Sequence, residues 1–194
     1  MQKPNYKQAE IFWEEMCSHY GTSWKYKKNA WEAKVIGKIL ASRDIVTYDN
    51  WMNNYSTILG RTIYIPFVPG EASDNHPAEK QISSCTHEHQ HWNDACDRGK
   101  LTWNWEYLIS SEKRAVAEAL GYKTNIEMYH WFTGKIIPTK VIVDLLAKTY
   151  KCGLKDVLIA KDILDRSIKL IERGDYTSPA TVTSLEILNR ITHE

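Results

Sequence analysis

Three of the chain's seven histidines fall within five residues, His87-Glu88-His89-Gln90-His91, and this cluster restricts the fold more than anything else in the sequence. Side chains four positions apart share a face on an α-helix, one turn above the other. On a helix, the imidazoles of His87 and His91 can converge on a single point. Glu88 follows the first of them directly and is turned off their common axis. With 7 His in 194 residues, about 0.02 chance occurrences of this His-Glu-x-x-His spacing are expected. Coincidence is therefore a poor explanation, although a polar helix face with surface histidines would produce the same letters.

The flanking sequence supplies the helix. Residues 77 to 97 read as helical, with Gly99 as the stop. Before them lies the clearest strand, Arg61-Thr62-Ile63-Tyr64-Ile65-Pro66-Phe67, followed by a polar loop opened by Pro69-Gly70 and running to about Asn75. Apolar spacing predicts helices over 5–20 and 29–42, the second presenting Trp31, Val35 and Ile39, with Leu40 as a further candidate. Residues 49–59 read as a further helix weakened by Asn50, Asn53 and Asn54. The aromatic stretch 101–107 is ambiguous, a short strand or an extended loop. Ser110 or Ser111 can cap a helix over 112–131 that ends at Gly134. Three more helices follow, from Pro138 to Tyr150, over 154–173, and from Ser178-Pro179 to Ile191. The expected class is α+β, mainly α: a small sheet beside the motif helix, with residues 1–134 as the catalytic domain and 135–194 as a helical subdomain packed on it.

Composition matters chiefly for what it excludes. Lys and Arg number 25 against 24 Asp and Glu, a net charge of +1, so no global field points to nucleic acid or an anionic membrane. No apolar run approaches the roughly 20 residues of a membrane helix. The opening Met1-Gln2-Lys3-Pro4-Asn5-Tyr6 lacks a signal peptide's apolar core, which points to the cytoplasm. Abundant Asn, Lys, Tyr and Trp suggest a phage-encoded protein acting in a host cytoplasm. The four cysteines have no C-x-x-C spacing, and reduced, packed thiols are expected. Cys85 and Cys96 stand about 16 Å apart along a helix, too far to share one ion with both histidines.

Neutral imidazoles bind zinc at about 2.0 to 2.1 Å, and a carboxylate beside them can take a proton from water at the metal. In His87, Glu88 and His91 the chain resembles the zincin metallopeptidases. The resemblance covers the strand 61–67, the motif helix and the helix after it. It implies zinc as cofactor, His87 and His91 as ligands, and Glu88 as general base on the zinc-bound water. It further implies a peptide or protein substrate aligned along the edge of strand 61–67.

The third ligand separates the subclasses. Where the metzincin pattern wants Gly and then His or Asp, this chain holds Asp94 and Asp97; without the Gly, a continuing helix carries Asp97 away. The gluzincin arrangement takes a Glu from a later helix, with Glu106, Glu112, Glu118 and Glu127 as candidates. Glu118 fits best, because Ala115, Val116, Ala117 and Ala119 surround it with small apolar groups. A carboxylate there is costly to bury without a cation. Glu112 and Asp97 remain alternatives, and Glu118 could instead pair with Arg114 one turn earlier.

Tyr107, Tyr122 and Arg114 are candidates to stabilise an oxyanion. His89 is expected at the surface or behind a ligand, and His76 and His130 as lone histidines without function. The leading expectation is a zinc-dependent hydrolase, a metallopeptidase. The alternative is a zincin-like binding or structural protein, such as a virion component or regulator.

Overall fold

The computed structural model describes residues 3–43 and 45–192; Met1 and Gln2, which open the N-terminal segment read above, lie outside them. The class is α+β and mainly helical, as expected. Nine helices and three strands follow the order α1 (Tyr6–Tyr20), β1 (Ser23–Tyr26), α2 (Trp31–Ser42), α3 (Tyr48–Asn54), β2 (Thr57–Leu59), β3 (Thr62–Ile65), α4 (Ala78–Arg98), α5 (Lys100–Ile109), α6 (Ser111–Thr133), α7 (Thr139–Lys148), α8 (Leu154–Ile171) and α9 (Pro179–Thr192) among the described residues. None of the helices described is long and apolar enough to cross a membrane.

Local signals explain most of the boundaries. Asn5 caps α1 by accepting from the Gln8 amide, and Gly21 ends it in the left-handed conformation, which glycine adopts without a Cβ clash. The Ser110 hydroxyl accepts from the Lys113 amide at the start of α6. Three expectations fail. The segment 49–59 is not one helix: α3 stops at Asn54, and Thr57-Ile58-Leu59 pairs as a strand, since β-branched residues there gain more from the sheet than from a helix rich in Asn. The stretch 101–107 is neither strand nor loop but lies in α5, where Trp103 and Tyr107, four apart, stack on one face at 5.4 Å. On α2 the stripe Trp31, Val35 and Ile39 faces outward, at 72%, 46% and 48% exposure, while Ala33, Gly37 and Leu40 pack inward. Gly37 decides this orientation, because a Cβ there would stand 2.7 Å from the Trp51 ring.

The sheet has the order β1-β3-β2, with β1 parallel and β2 antiparallel to β3. A two-residue turn at Gly60 and Arg61, with Gly60 at φ +60°, joins β2 to β3. The predicted strand is therefore central and has no free edge for a substrate. The outer edge beside α4 belongs to β2.

Helix α4 is the axis of the fold. On one side it meets α1, β3 and α9 in an apolar cluster that includes Phe12, Trp13, Ile63, Ile82, Cys85 and Leu188. A second cluster joins Ala115, Ala119 and Ile126 of α6 to α7 and α8, and a third joins α2 and α3 to Tyr64. Residues 135–192 thus enter both of the larger cores, with α9 packed against α1 and α4.

Candidate metal centre

The segment Thr86 to Trp92 is buried throughout although most of it is polar. Thr86 and Gln90 find partners on α9. The hydroxyls of Thr86 and Ser184 are 2.9 Å apart, and the Gln90 side chain lies between Asp94 and the Ala180 amide. His89 is fully buried, not at the surface. Its Nδ1 donates to the Cys85 carbonyl at 2.8 Å, and its Nε2 lies 2.9 Å from the Thr22 hydroxyl. Two residues along the helix from its neighbours, it faces α1 and β1 rather than the metal centre.

The other face holds the site. His87 and His91 turn toward α6, where Glu118 projects back at them. His87 Nε2 lies 3.6 Å from Glu118 Oε2, and His91 Nε2 lies 3.7 Å from Oε1. One ligand atom from each residue falls within 4.8 Å of the others, and all three side chains are buried. Glu118 is thus the carboxylate that meets the two histidines. Arg114 is not its partner: its guanidinium donates to the carbonyls of Tyr107, at 2.8 Å, and Tyr150, at 3.3 Å. Held there, it is not an oxyanion donor.

The remaining acidic candidates have other occupations. Asp97 is exposed six residues, or about 9 Å, beyond His91 on α4, which runs unbroken to Arg98. Glu112 is exposed in the first turn of α6. Glu106 pairs with Arg98, and Glu127 accepts from the Thr177 and Ser178 amides ahead of α9.

Several groups fix the three side chains, and sequence reasoning missed the main ones. His87 Nδ1 donates to Asn125 Oδ1 at 2.6 Å, which leaves Nε2 to face Glu118; the Asn125 amide donates in turn to Ser83 at 2.7 Å. Gly121 lets α6 approach, since a Cβ there would lie 2.6 Å from Cε1 and Nε2 of His87. Gly121 and Asn125 follow Glu118 by three and seven positions, one helical face, and that spacing was the available signal. Tyr107 donates to Glu118 Oε1 at 2.6 Å, so this oxyanion candidate is already engaged. Tyr122 packs edge-on against His87, with its hydroxyl 3.5 Å from that of Tyr150. Tyr150 itself, in a region with no expected chemistry, lines the cavity at the site.

The donor set suits zinc: two imidazole nitrogens and one carboxylate oxygen on helices, with outer partners that fix His87 and Glu118. Glu118 Oε2 and His91 Nδ1 are buried without hydrogen-bond partners among the described residues, and the first of these is a lone pair aimed into the centre. Without an ion, burial opposes the charge on His87, but Glu118, by hydrogen bond and attraction, outweighs it and raises this imidazole to about 9. Burial and the neighbouring His87 charge hold His91 down at about 4. Burial also acts to raise Glu118, yet the two imidazoles hold it below the usual carboxylate range.

Glu88 borders the same cavity, and its Oε2 is buried without a partner. Burial raises it to about 7, opposed by the His87 charge. Behind it lies Lys27, fully buried in a helical turn after β1, with Nζ 2.7 Å from the Trp51 carbonyl and 2.6 Å from that of Tyr55. Cys85 lies on the far face of α4 against His89, where burial keeps it a thiol. His76 is buried against Phe67, and His130 bonds the Tyr176 hydroxyl at 2.9 Å.

Comparison with protein-family models, curated proteins and solved structures finds no match to this chain.

Proposed function

We propose that the chain is a zinc-dependent hydrolase, a metallopeptidase with a zincin-like core and a gluzincin-type ligand set of His87, His91 and Glu118. The observation that carries this reading is the convergence of those three buried side chains at one end of an apolar cavity, with the unpartnered carboxylate of Glu88 beside them. Zinc held there would supply a Lewis acid for the scissile carbonyl and make water a better nucleophile near neutral pH.

The chain's own residues do the rest. Asn125 orients His87, and Tyr107 orients Glu118, so the site needs little rearrangement on binding. Glu88 accepts the proton of the attacking water and delivers it to the departing amine. Burial raises its proton affinity in the metal-free site, and a bound divalent ion would lower it again. The free edge of β2, which borders the cavity through Ser56 to Leu59, replaces the predicted strand as the place where an extended substrate backbone can add to the sheet. Apolar walls exclude water and strengthen each of these interactions.

The test compares the zinc-loaded wild type with Glu88→Gln on a mixture of unfolded polypeptides, with products read by mass spectrometry. Glu88→Gln is expected to keep its zinc and lose turnover by about 10²- to 10⁴-fold. Equal hydrolysis by the two proteins would refute the proposal, and absence of hydrolysis in both would favour the binding-protein alternative.

A further inference from the structure

The cavity that begins at the candidate metal centre has a volume of about 180 Å³. Apart from His87, Glu88, His91 and Glu118 themselves, no charged side chain among the described residues lines it. Its walls away from the centre are mostly apolar, with Ile36, Leu40, Val46, Ile58 and Leu108 around Trp51, and neutral polar groups such as Thr57 and Asn104 among them. Ile39 and Leu59 line it as well yet are 48% and 45% exposed, which places them at its mouth.

We propose that this cavity receives one large apolar side chain of a polypeptide substrate, of the Leu, Met or Phe type, carried by a residue next to the scissile bond. The inference deepens the peptidase reading and rests on it. Size supports a single side chain: an apolar cavity of about 150 Å³ holds benzene, whereas pockets for whole small molecules run from about 300 Å³ upward. Polarity sets the type, because a charged group would lose its hydration along these mostly apolar walls, and the carboxylates that line the cavity among the described residues, Glu88 and Glu118, stand at the candidate metal centre. Backbone geometry favours a residue of a chain over a free hydrocarbon. The unpaired edge of β2 runs along the same cavity, so a strand added there would place a side chain inside while its carbonyl stays near Glu88.

The pocket is preformed rather than induced. Trp51 is 1% exposed and donates from its indole to Thr57 Oγ1 at 3.0 Å. Lys27 holds the carbonyls of Trp51 and Tyr55 and places its Nζ 3.5 Å from the Trp51 ring centre. Trp51 and the α3–β2 connection are therefore tied together before any substrate arrives.

Two readouts on one set of peptides, varied at a single position among Leu, Phe, Ala, Asp and Lys, test the proposal. The first is kcat/KM of the zinc-loaded wild type; the second is binding of labelled peptides to Glu88→Gln by fluorescence anisotropy. Leu and Phe are expected to exceed Ala by on the order of tenfold or more in both, and Asp and Lys by more still. Ile39→Arg, or Leu59→Arg should that variant fold better, is expected to abolish the preference, while the remote Val141→Arg leaves it intact. Cleavage without an apolar preference would overturn the pocket and leave the hydrolase standing. An apolar preference in binding without cleavage by the wild type would support the pocket and count against the hydrolase. Neither cleavage nor selective binding would overturn both.

Discussion

The Nδ1 nitrogen of His87 and the side-chain oxygen of Asn125 lie 2.6 Å apart, and the same amide donates to Ser83 on α4. This pair keeps a hydrogen on Nδ1, so that the nitrogen which gives up its proton to bind an ion is Nε2, the one facing Glu118. Asn125→Leu should lower zinc affinity by about 10- to 100-fold with the fold intact. Asn125→Asp should restore most of it, because an acceptor returns. Competition against a chelating dye measures both, and unchanged affinity in Asn125→Leu would remove the orienting role.

Gly121 offers a sharper geometric test. Alanine gains about 1 kcal/mol in helix propensity, whereas a Cβ 2.6 Å from the His87 ring brings overpacking of about 1 to 3 kcal/mol. The net cost in stability is about 0 to 2 kcal/mol, whereas the candidate metal centre is affected directly, since the ring cannot retreat without breaking its bond to Asn125. Gly121→Ala should therefore melt within a few degrees of the wild type while binding zinc at least about tenfold more weakly. Normal zinc affinity in this variant would contradict the close approach.

Metal binding should release a proton. In the metal-free protein His87 holds its proton up to about pH 9, and a ligand nitrogen must be neutral. Zinc must displace that proton, so apparent affinity should fall as pH drops from 9 toward 6, by about tenfold per unit. His91, held down at about 4, is already neutral across this window and adds nothing to the slope. Zinc titrations at pH 6, 7 and 8 check the sign, and a flat profile would show that His87 is not protonated in the free site.

Lys27 supports the pocket from behind. Burial pushes its ammonium well below the usual lysine range, yet it remains the donor to two carbonyls. Lys27→Met would fill the space and leave both acceptors unpaired, a loss of about 2 to 6 kcal/mol at about 1 to 3 kcal/mol for each buried group. Urea unfolding measures it, and a change below about 0.5 kcal/mol would mean that the carbonyls find other donors.

The motif helix was legible because two independent signals coincided, the spacing of His87 and His91 and the stop at Gly99. Glu118 was legible for a physical reason also, as a carboxylate among alanines needs a partner. The residues that finish the site were not. Asn125 and Gly121 are unremarkable letters on α6 until His87 is placed against them, a contact between helices that sequence spacing alone does not report. Tyr150 and Lys27 reach the site from distant segments. Strands β1 and β2 are four and three residues long and exist through pairing with β3, so no run of their own announces them. The outward face of α2 was misread because Gly37 and Trp51 fit together more closely than the apolar stripe could with any neighbour.

Zinc content tests the central claim most directly. Wild type, Glu88→Gln and Glu118→Ala, each loaded with zinc and then dialysed free of excess ion, can be compared by elemental mass spectrometry. One zinc per chain is expected in the first two and much less in Glu118→Ala, with all three folded by circular dichroism. A folded wild type without zinc, or full zinc in Glu118→Ala, would contradict the assignment of His87, His91 and Glu118 as the metal centre.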